Sequence, residues 1–306
     1  PTRDQIGVRD EEQAALARAI TQAEQEATTK VPVETTGKDG KRIPVLGITG
    51  AGGAGKSSLT DELILRFGEA CPDKTVALLA GDPSITVTGG AMLGDRIRVN
   101  TASHERVFMR SIATRESVTE LPDVVYHAIN LCKQAGFDLV IVETPGIGQW
   151  NQQIVEVADL SMYVMTHEFG AQLQLEKHNM LYLADLVAIN KFERQGSQDA
   201  LRAIRKQVQR NKRSFGTALE EMPVFPTIAS RFADPGVNAL YGALLRTMNE
   251  KVDGLNWQSQ LLGYAPTEMS SVTRIIPPDR LRYLAYISTK GGQYKQEGEQ
   301  QADIAR

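Results

Sequence analysis

The run Gly50-Ala51-Gly52-Gly53-Ala54-Gly55-Lys56-Ser57 constrains this chain more than any other stretch. It follows the apolar segment Val45-Leu46-Gly47-Ile48 and precedes an amphipathic segment over 57–70. A strand, a glycine-rich turn and a helix in that order form the setting in which G-x-x-x-x-G-K-[ST] cradles phosphate. Gly50, Gly52, Gly53, Ala54 and Gly55 let successive amide N–H groups converge on phosphate oxygens without Cβ clashes. Lys56 supplies a point charge to the β and γ phosphates, and the Ser57 hydroxyl is placed to ligate magnesium. Ser58 continues the helix N-terminus, whose dipole favours the same anion. The expectation is a site for a purine nucleoside triphosphate with magnesium.

The surrounding pattern agrees with that expectation. Apolar runs at 45–48, 75–79, 139–142, 160–164, 186–189 and 224–228 alternate with helix-like segments near 57–70, 117–135, 172–183, 197–212 and 237–251. Continuous apolar strands alternating with helices predict an α/β fold, a doubly wound and mostly parallel sheet covered on both faces. Ligands of such sheets lie beyond the carboxyl ends of the strands. Residues 1–42 read as an N-terminal helix, with Leu16, Ile20 and Ala23 at helical spacing, and a polar connector with a turn at Lys38-Asp39-Gly40-Lys41. Residues 43–252 carry the strand–helix pattern. Residues 253–306, with Pro277-Pro278, a helix from Asp279 and a Gly/Gln/Glu-rich end, read as a linker or docking segment.

Composition removes several function classes. A formal net charge of −3 over 306 residues gives no electrostatic case for nucleic acid or an anionic membrane. No apolar run reaches the roughly 18 residues that span a bilayer, and no secretory signal is visible. Two distant cysteines, Cys71 and Cys132, make a disulfide framework improbable and a cytoplasmic setting the default. No C-x-x-C or H-x-x-x-H pair supports a zinc or nickel centre. The chain begins at Pro1, not Met, and is read as processed or excised.

Three further motifs follow apolar runs. In Asp138-Leu139-Val140-Ile141-Val142-Glu143-Thr144-Pro145-Gly146, an acid ends a strand where magnesium is held opposite a phosphate loop. Glu143 is the candidate, because Asp138 sits at the strand's start. The Gly146 amide could sense a γ-phosphate and switch the loop after it. Asn190-Lys191-Phe192-Glu193 resembles N-K-x-D, whose carboxylate accepts hydrogen bonds from guanine that adenine cannot offer. Ser230, in Ala229-Ser230-Arg231, could add a backbone contact to the base edge. Asp82-Pro83-Ser84 and Leu93-Gly94-Asp95-Arg96-Ile97-Arg98 place acids and arginines in a loop suited to metal and phosphate, or in a solvated loop.

Taken in order, these elements resemble the G-protein chaperones of cobalamin-dependent acyl-CoA mutases. That family includes ArgK/MeaB-like and methylmalonic aciduria type A-like proteins, and the likeness is greatest to the GTPase domain of fused isobutyryl-CoA mutases. The likeness rests on Gly47 to Leu63, Gly89 to Arg96, Phe108 to Arg115, Glu143 to Gln149 and Asn190 to Phe192. It covers roughly 45–250, and Pro277-Pro278 resembles the linker that leads into the mutase barrel. The resemblance implies GTP hydrolysis, with GTP and GDP as ligands, gating the loading, protection or repair of cobalamin on a mutase. It implies that Ser57, Asp82, Asp95 and Glu143 hold magnesium and that Arg98 contacts the nucleotide. Lys56, Asp82 and Glu143 are then the catalytic set.

The chain departs from the family at Glu193, where Asp is usual, and at Trp150-Asn151 after Gln149. It also lacks D-x-H-x-x-G, so it is not expected to bind cobalamin itself. Its partner is expected to be a mutase, fused or separate, and the oligomeric state, a homodimer included, stays open. Water would attack the γ-phosphate in line, slowly without the partner. Competing readings are a nucleotide-gated interaction module with little hydrolysis, a metallochaperone GTPase for nickel enzymes and a small-molecule kinase using ATP. A His-rich tract would favour the nickel reading, while Asn190-Lys191 speaks against the kinase.

Overall fold

The structure, a computed structural model, describes residues 3–26, 29–82, 99–113, 121–146, 150–170 and 179–264. Seven strands form one sheet: β1 (Val45–Gly50), β2 (Val76–Asp82), β3 (Val107–Ala113), β4 (Leu139–Glu143), β5 (Leu160–Met165), β6 (Leu186–Ile189) and β7 (Val224–Pro226). Their order is β3-β2-β4-β1-β5-β6-β7, and every pairing is parallel. The helices are α1 (Arg3–Glu26), α2 (Lys56–Ala70), α3 (Asp123–Gln134), α4 (Trp150–Val157), α5 (Met180–Leu183), α6 (Ser197–Asn211) and α7 (Pro235–Lys251). The doubly wound α/β fold expected from the strand–helix alternation is therefore the observed one.

The near-continuous apolar strands explain the two layers. Alternate strand residues point to opposite faces, so Val140 and Val142 join one core while Leu139 and Ile141 join the other. The first core gathers Leu16 and Ile20 of α1 with apolar residues of α3, α4, α5 and α6. The second is built under α2 and α7. The helix after β1 thus covers one face, and the helix after the neighbouring β4 covers the other. Adjacent strands whose connections leave to opposite faces open a crevice at their carboxyl ends. Here that crevice lies between β1 and β4.

One device recurs at the opposite, amino-terminal edge. Asp138, Asp159 and Asp185 each precede a strand, and each accepts the backbone N–H where a neighbouring strand begins. The partners are Thr75 (3.0 Å), Val45 (2.8 Å) and Ser161 (2.9 Å). A carboxylate on an otherwise open N–H gives a charge-assisted bond and pins the parallel register. Asp138 is further engaged by Lys41 at 2.5 Å, at the far end of its strand from Glu143.

Several boundaries differ from the sequence expectation. The first helix runs from Arg3 to Glu26 and takes up more than half of the 1–42 segment. The connector turns at Gly40 and closes a single bridge between Thr36 and Arg42. It is held along α3 by Asn130, which accepts from Glu34 N and donates to Pro32 O, and by Lys133, which donates to Glu34 O. Helix α3 starts at Asp123, because Pro122 occupies its N-cap and biases the residue before it towards extended backbone. Strand β7 stops at Pro226, which has no N–H to donate. The predicted segment at 172–183 is described only from 179. The helix expected from Asp279 and the Pro277-Pro278 linker lie outside the described residues.

Helix α7 is anchored by Asp234, which is fully buried and accepts from Val237 N (3.0 Å) and Ile228 N (3.1 Å). Pro235 supplies a preset first helical residue. Asp234→Ala is expected to cost about 2 kcal/mol of folding free energy, at the upper end for a lost N-cap. Urea unfolding of the variant beside the parent chain measures it, and Asp234→Asn should recover most of the loss. Cys71 and Cys132 are both free and buried. Burial pushes the Cys132 thiol up to about 12.

Candidate nucleotide site

The phosphate loop begins on the last residue of β1 and ends as α2 starts at Lys56. Gly55 occupies the helix N-cap with a left-handed backbone, φ 86°. A Cβ there would also overlap the Asn190 amide nitrogen, so glycine is required twice over. Lys56 is buried, and its Nζ donates to Gly50 O at 3.2 Å and Ala51 O at 3.3 Å. The ammonium therefore sits inside the curve of the loop. Ser57 is half-buried, whereas Gly52, Gly53 and Ser58 are exposed.

Glu143 ends β4 and is 4% exposed. Register places it opposite Ile48, two residues before Gly50. Its Oε1 accepts from Ser57 Oγ at 2.8 Å, and its Oε2 accepts from Thr60 Oγ1 at 3.0 Å. Just beyond it, the Thr144 hydroxyl donates to Thr49 Oγ1 at 2.8 Å, tying the ends of β4 and β1 together. Gly146 then lies directly on the phosphate loop. A Cβ there would overlap the Gly52 Cα and lie 2.6 Å from the Gly52 amide nitrogen and 3.0 Å from Lys56 Nζ. Any side chain at 146 would enter the space above the loop.

The base motif after β6 also reaches the loop. Asn190 is buried, and its Nδ2 donates to Ala54 O at 2.9 Å. Its Oδ1 accepts from Ala229 N at 3.1 Å and Thr227 Oγ1 at 3.3 Å. One amide therefore fastens three loops to one another. Lys191, with the unusual φ of 57°, donates from Nζ to Gly53 O at 2.7 Å. Glu193 and Ser230 are exposed on the neighbouring turns. Beside the base contact that its motif predicts, Asn190 thus has a scaffold role that its position in the motif alone does not show.

Asp82 is the last residue of β2, two positions past Ala80, which pairs with Glu143. Its backbone thus ends at the same carboxyl edge. Asp95, Arg98 and Gln149 lie outside the described residues. Thr60 was not singled out in the sequence. The signal that could have found it is a second hydroxyl three residues after Ser57, on the same face of α2.

Chemically, the arrangement offers backbone amides and one ammonium for phosphate, and hydroxyl and carboxylate oxygens that suit a hard divalent cation. Among the described residues, no cluster of three or more His, Cys, Asp or Glu side chains gathers anywhere. No described helix is long and apolar enough to cross a membrane.

Comparison with known proteins identifies the architecture. The family model "Methylmalonyl Co-A mutase-associated GTPase MeaB" matches residues 16–303. The fused isobutyryl-CoA mutase of Geobacillus kaustophilus is 51% identical over 301 residues, 95% of this chain and 27% of that protein. The fused isobutyryl-CoA mutase of Paraburkholderia xenovorans is 52% identical over 275 residues, 86% of this chain and 21% of that protein. The chain therefore spans about a quarter of the length of these relatives. The crystal structure of a LAO/AO transport system kinase superposes with a TM-score of 0.52 at 23% identity, over 81% of this chain and 76% of that one, which is a likeness of fold. With a phosphate loop on a doubly wound sheet and a family match over nearly its whole length, this chain belongs to the MeaB family of mutase-associated P-loop GTPases.

Proposed function

We propose that this chain hydrolyses GTP with magnesium and uses the cycle to gate cobalamin loading, protection or repair on an acyl-CoA mutase, to which it is joined or with which it assembles. The observation that carries the nucleotide half is the meeting of Ser57, Glu143 and Gly146 around one phosphate loop. The partner half is supported by relatives in which a matching segment lies within a fused isobutyryl-CoA mutase.

In this reading, residues 43–252 form the GTPase domain, 1–42 a helix and connector, and 253–306 a linker or docking segment. Lys56 neutralises charge on the β and γ phosphates, and the loop amides hold their oxygens. Ser57 and Glu143 would hold magnesium together with Asp82 and Asp95, and the cation would supply electrostatic stabilisation of the transferred phosphoryl group. The oxygen donor set fits that hard cation. Gly146 reports the γ-phosphate to the loop after it. Asn190, Lys191, Glu193 and Ser230 form the base pocket, with Glu193 accepting from guanine. Arg98 contacts the nucleotide. Cobalamin is held by the mutase and not by this chain, and the setting is the cytoplasm.

The test is GTP turnover by this chain alone and with a cobalamin-dependent isobutyryl-CoA mutase lacking its own GTPase segment. Acceleration by the mutase, with cobalamin transfer that depends on hydrolysable nucleotide, is the expected outcome. Binding without turnover in both conditions would favour the nucleotide-gated interaction module instead.

A further inference from the structure

We propose that Thr60 is a positioning residue of the magnesium site: its buried hydroxyl fixes the orientation of the Glu143 carboxylate beside Ser57. The inference rests on the reading that Ser57 and Glu143 belong to a magnesium site.

Thr60 is fully buried, and its Oγ1 donates to Glu143 Oε2 at 3.0 Å. Ser57 donates to the other oxygen, Oε1, at 2.8 Å. The two hydroxyls stand three residues apart on one face of α2, so a single helix grips both ends of the carboxylate. A helical threonine ordinarily satisfies its hydroxyl on the carbonyl one turn back. Thr60 spends its proton on Glu143 instead.

The torsion about the last bond of a carboxylate side chain is broad, and the Thr60 hydroxyl narrows it by holding Oε2. Because both bonds run from hydroxyl to carboxylate, Ser57 gives up only its proton. Its oxygen remains an acceptor of positive charge on the side away from Glu143. A partner that orients a ligand in this way characteristically changes metal affinity without touching the metal.

The experiment uses the full chain, a fluorescent GDP (its N-methylanthraniloyl derivative) and magnesium chloride. Nucleotide affinity is measured across a magnesium titration and again in EDTA, for the parent chain, Thr60→Val, Thr60→Ala and Thr60→Ser. Thr60→Val and Thr60→Ala should raise the magnesium concentration for half-maximal effect by roughly 10-fold or more, the usual size of such second-layer effects. Their affinity in EDTA should match the parent, and Thr60→Ser should restore the parent's magnesium dependence. If the valine chain does not fold, the alanine and serine chains carry the same comparison. Unchanged magnesium dependence in the variants would overturn the proposal, as would equal loss with and without magnesium. A parent chain indifferent to magnesium would instead overturn the magnesium reading beneath it, and the proposal with it.

Discussion

Lys56→Ala should lower GTP turnover by about 10³-fold, the scale set by removing a preorganised charge from a phosphoryl-transfer site. The folded state should lose less, about 2–3 kcal/mol. The ammonium donates to two loop carbonyls, Gly50 O and Ala51 O, at 3.2 and 3.3 Å. Both bonds are long, which places them towards the low end of the roughly 1.5–3 kcal/mol that a hydrogen bond to a charged group contributes. Lys56→Met keeps most of the buried stem and separates the charge from the contribution of burial. Single-turnover hydrolysis and thermal unfolding, run on the same preparations, measure both halves. A large fall in stability would show that Lys56 holds the loop together rather than acting on phosphate.

Glu143→Gln should weaken magnesium-dependent nucleotide binding by about 100-fold or more, because it removes a charged oxygen that would hold the cation, and partners that only orient such groups are already worth about 10- to 100-fold. The substitution keeps volume and shape. It removes the charge and leaves one acceptor where there were two, so Ser57 and Thr60 compete for a single amide oxygen. A hydroxyl can reverse and accept from the amide, so the stability cost should stay near 1 kcal/mol. Glu143→Ala should cost more, because it strands a fully buried Thr60 hydroxyl. Calorimetric titration of nucleotide at several magnesium concentrations distinguishes loss of metal support from loss of the fold. Equal weakening in EDTA would contradict the assignment.

Much of this site was legible because its chemistry is local. The phosphate loop needs glycines, a lysine and a serine at fixed spacing between a strand and a helix, and chain order alone displays them. Glu143 was legible because it is an acid at the end of an apolar run, and Asp138 was set aside because it stands at the start of the same run. The structure gives Asp138 a different occupation, holding Thr75 N and Lys41 at the opposite edge.

The parts not legible depend on tertiary contact. Strand β3 escaped notice because Arg110 and Ser111 interrupt its apolar run. Arg110 is accommodated by Glu24 and Thr21 of α1, a partnership across 86 and 89 residues. Helix α4 begins with Trp150-Asn151-Gln152-Gln153, and among its described side chains Ile154 and Val157 are the buried apolar ones, too few to show a period. Thr60 reads as a neutral residue within an amphipathic helix until β4 brings Glu143 beneath it. Asn190 reads only as a base ligand until the fold shows both ends of its amide also joining segments 136 and 39 residues away.

In the proposed function, a guanine nucleotide site is completed by magnesium at Ser57 and Glu143. The most direct measurement is a calorimetric titration of the intact chain with GDP, ADP and their non-hydrolysable triphosphate analogues, with and without magnesium. Guanine nucleotides should bind more tightly than adenine nucleotides, and magnesium should strengthen the triphosphate analogue in particular. Adenine nucleotides binding as well as guanine, or triphosphate affinity indifferent to magnesium, would contradict it.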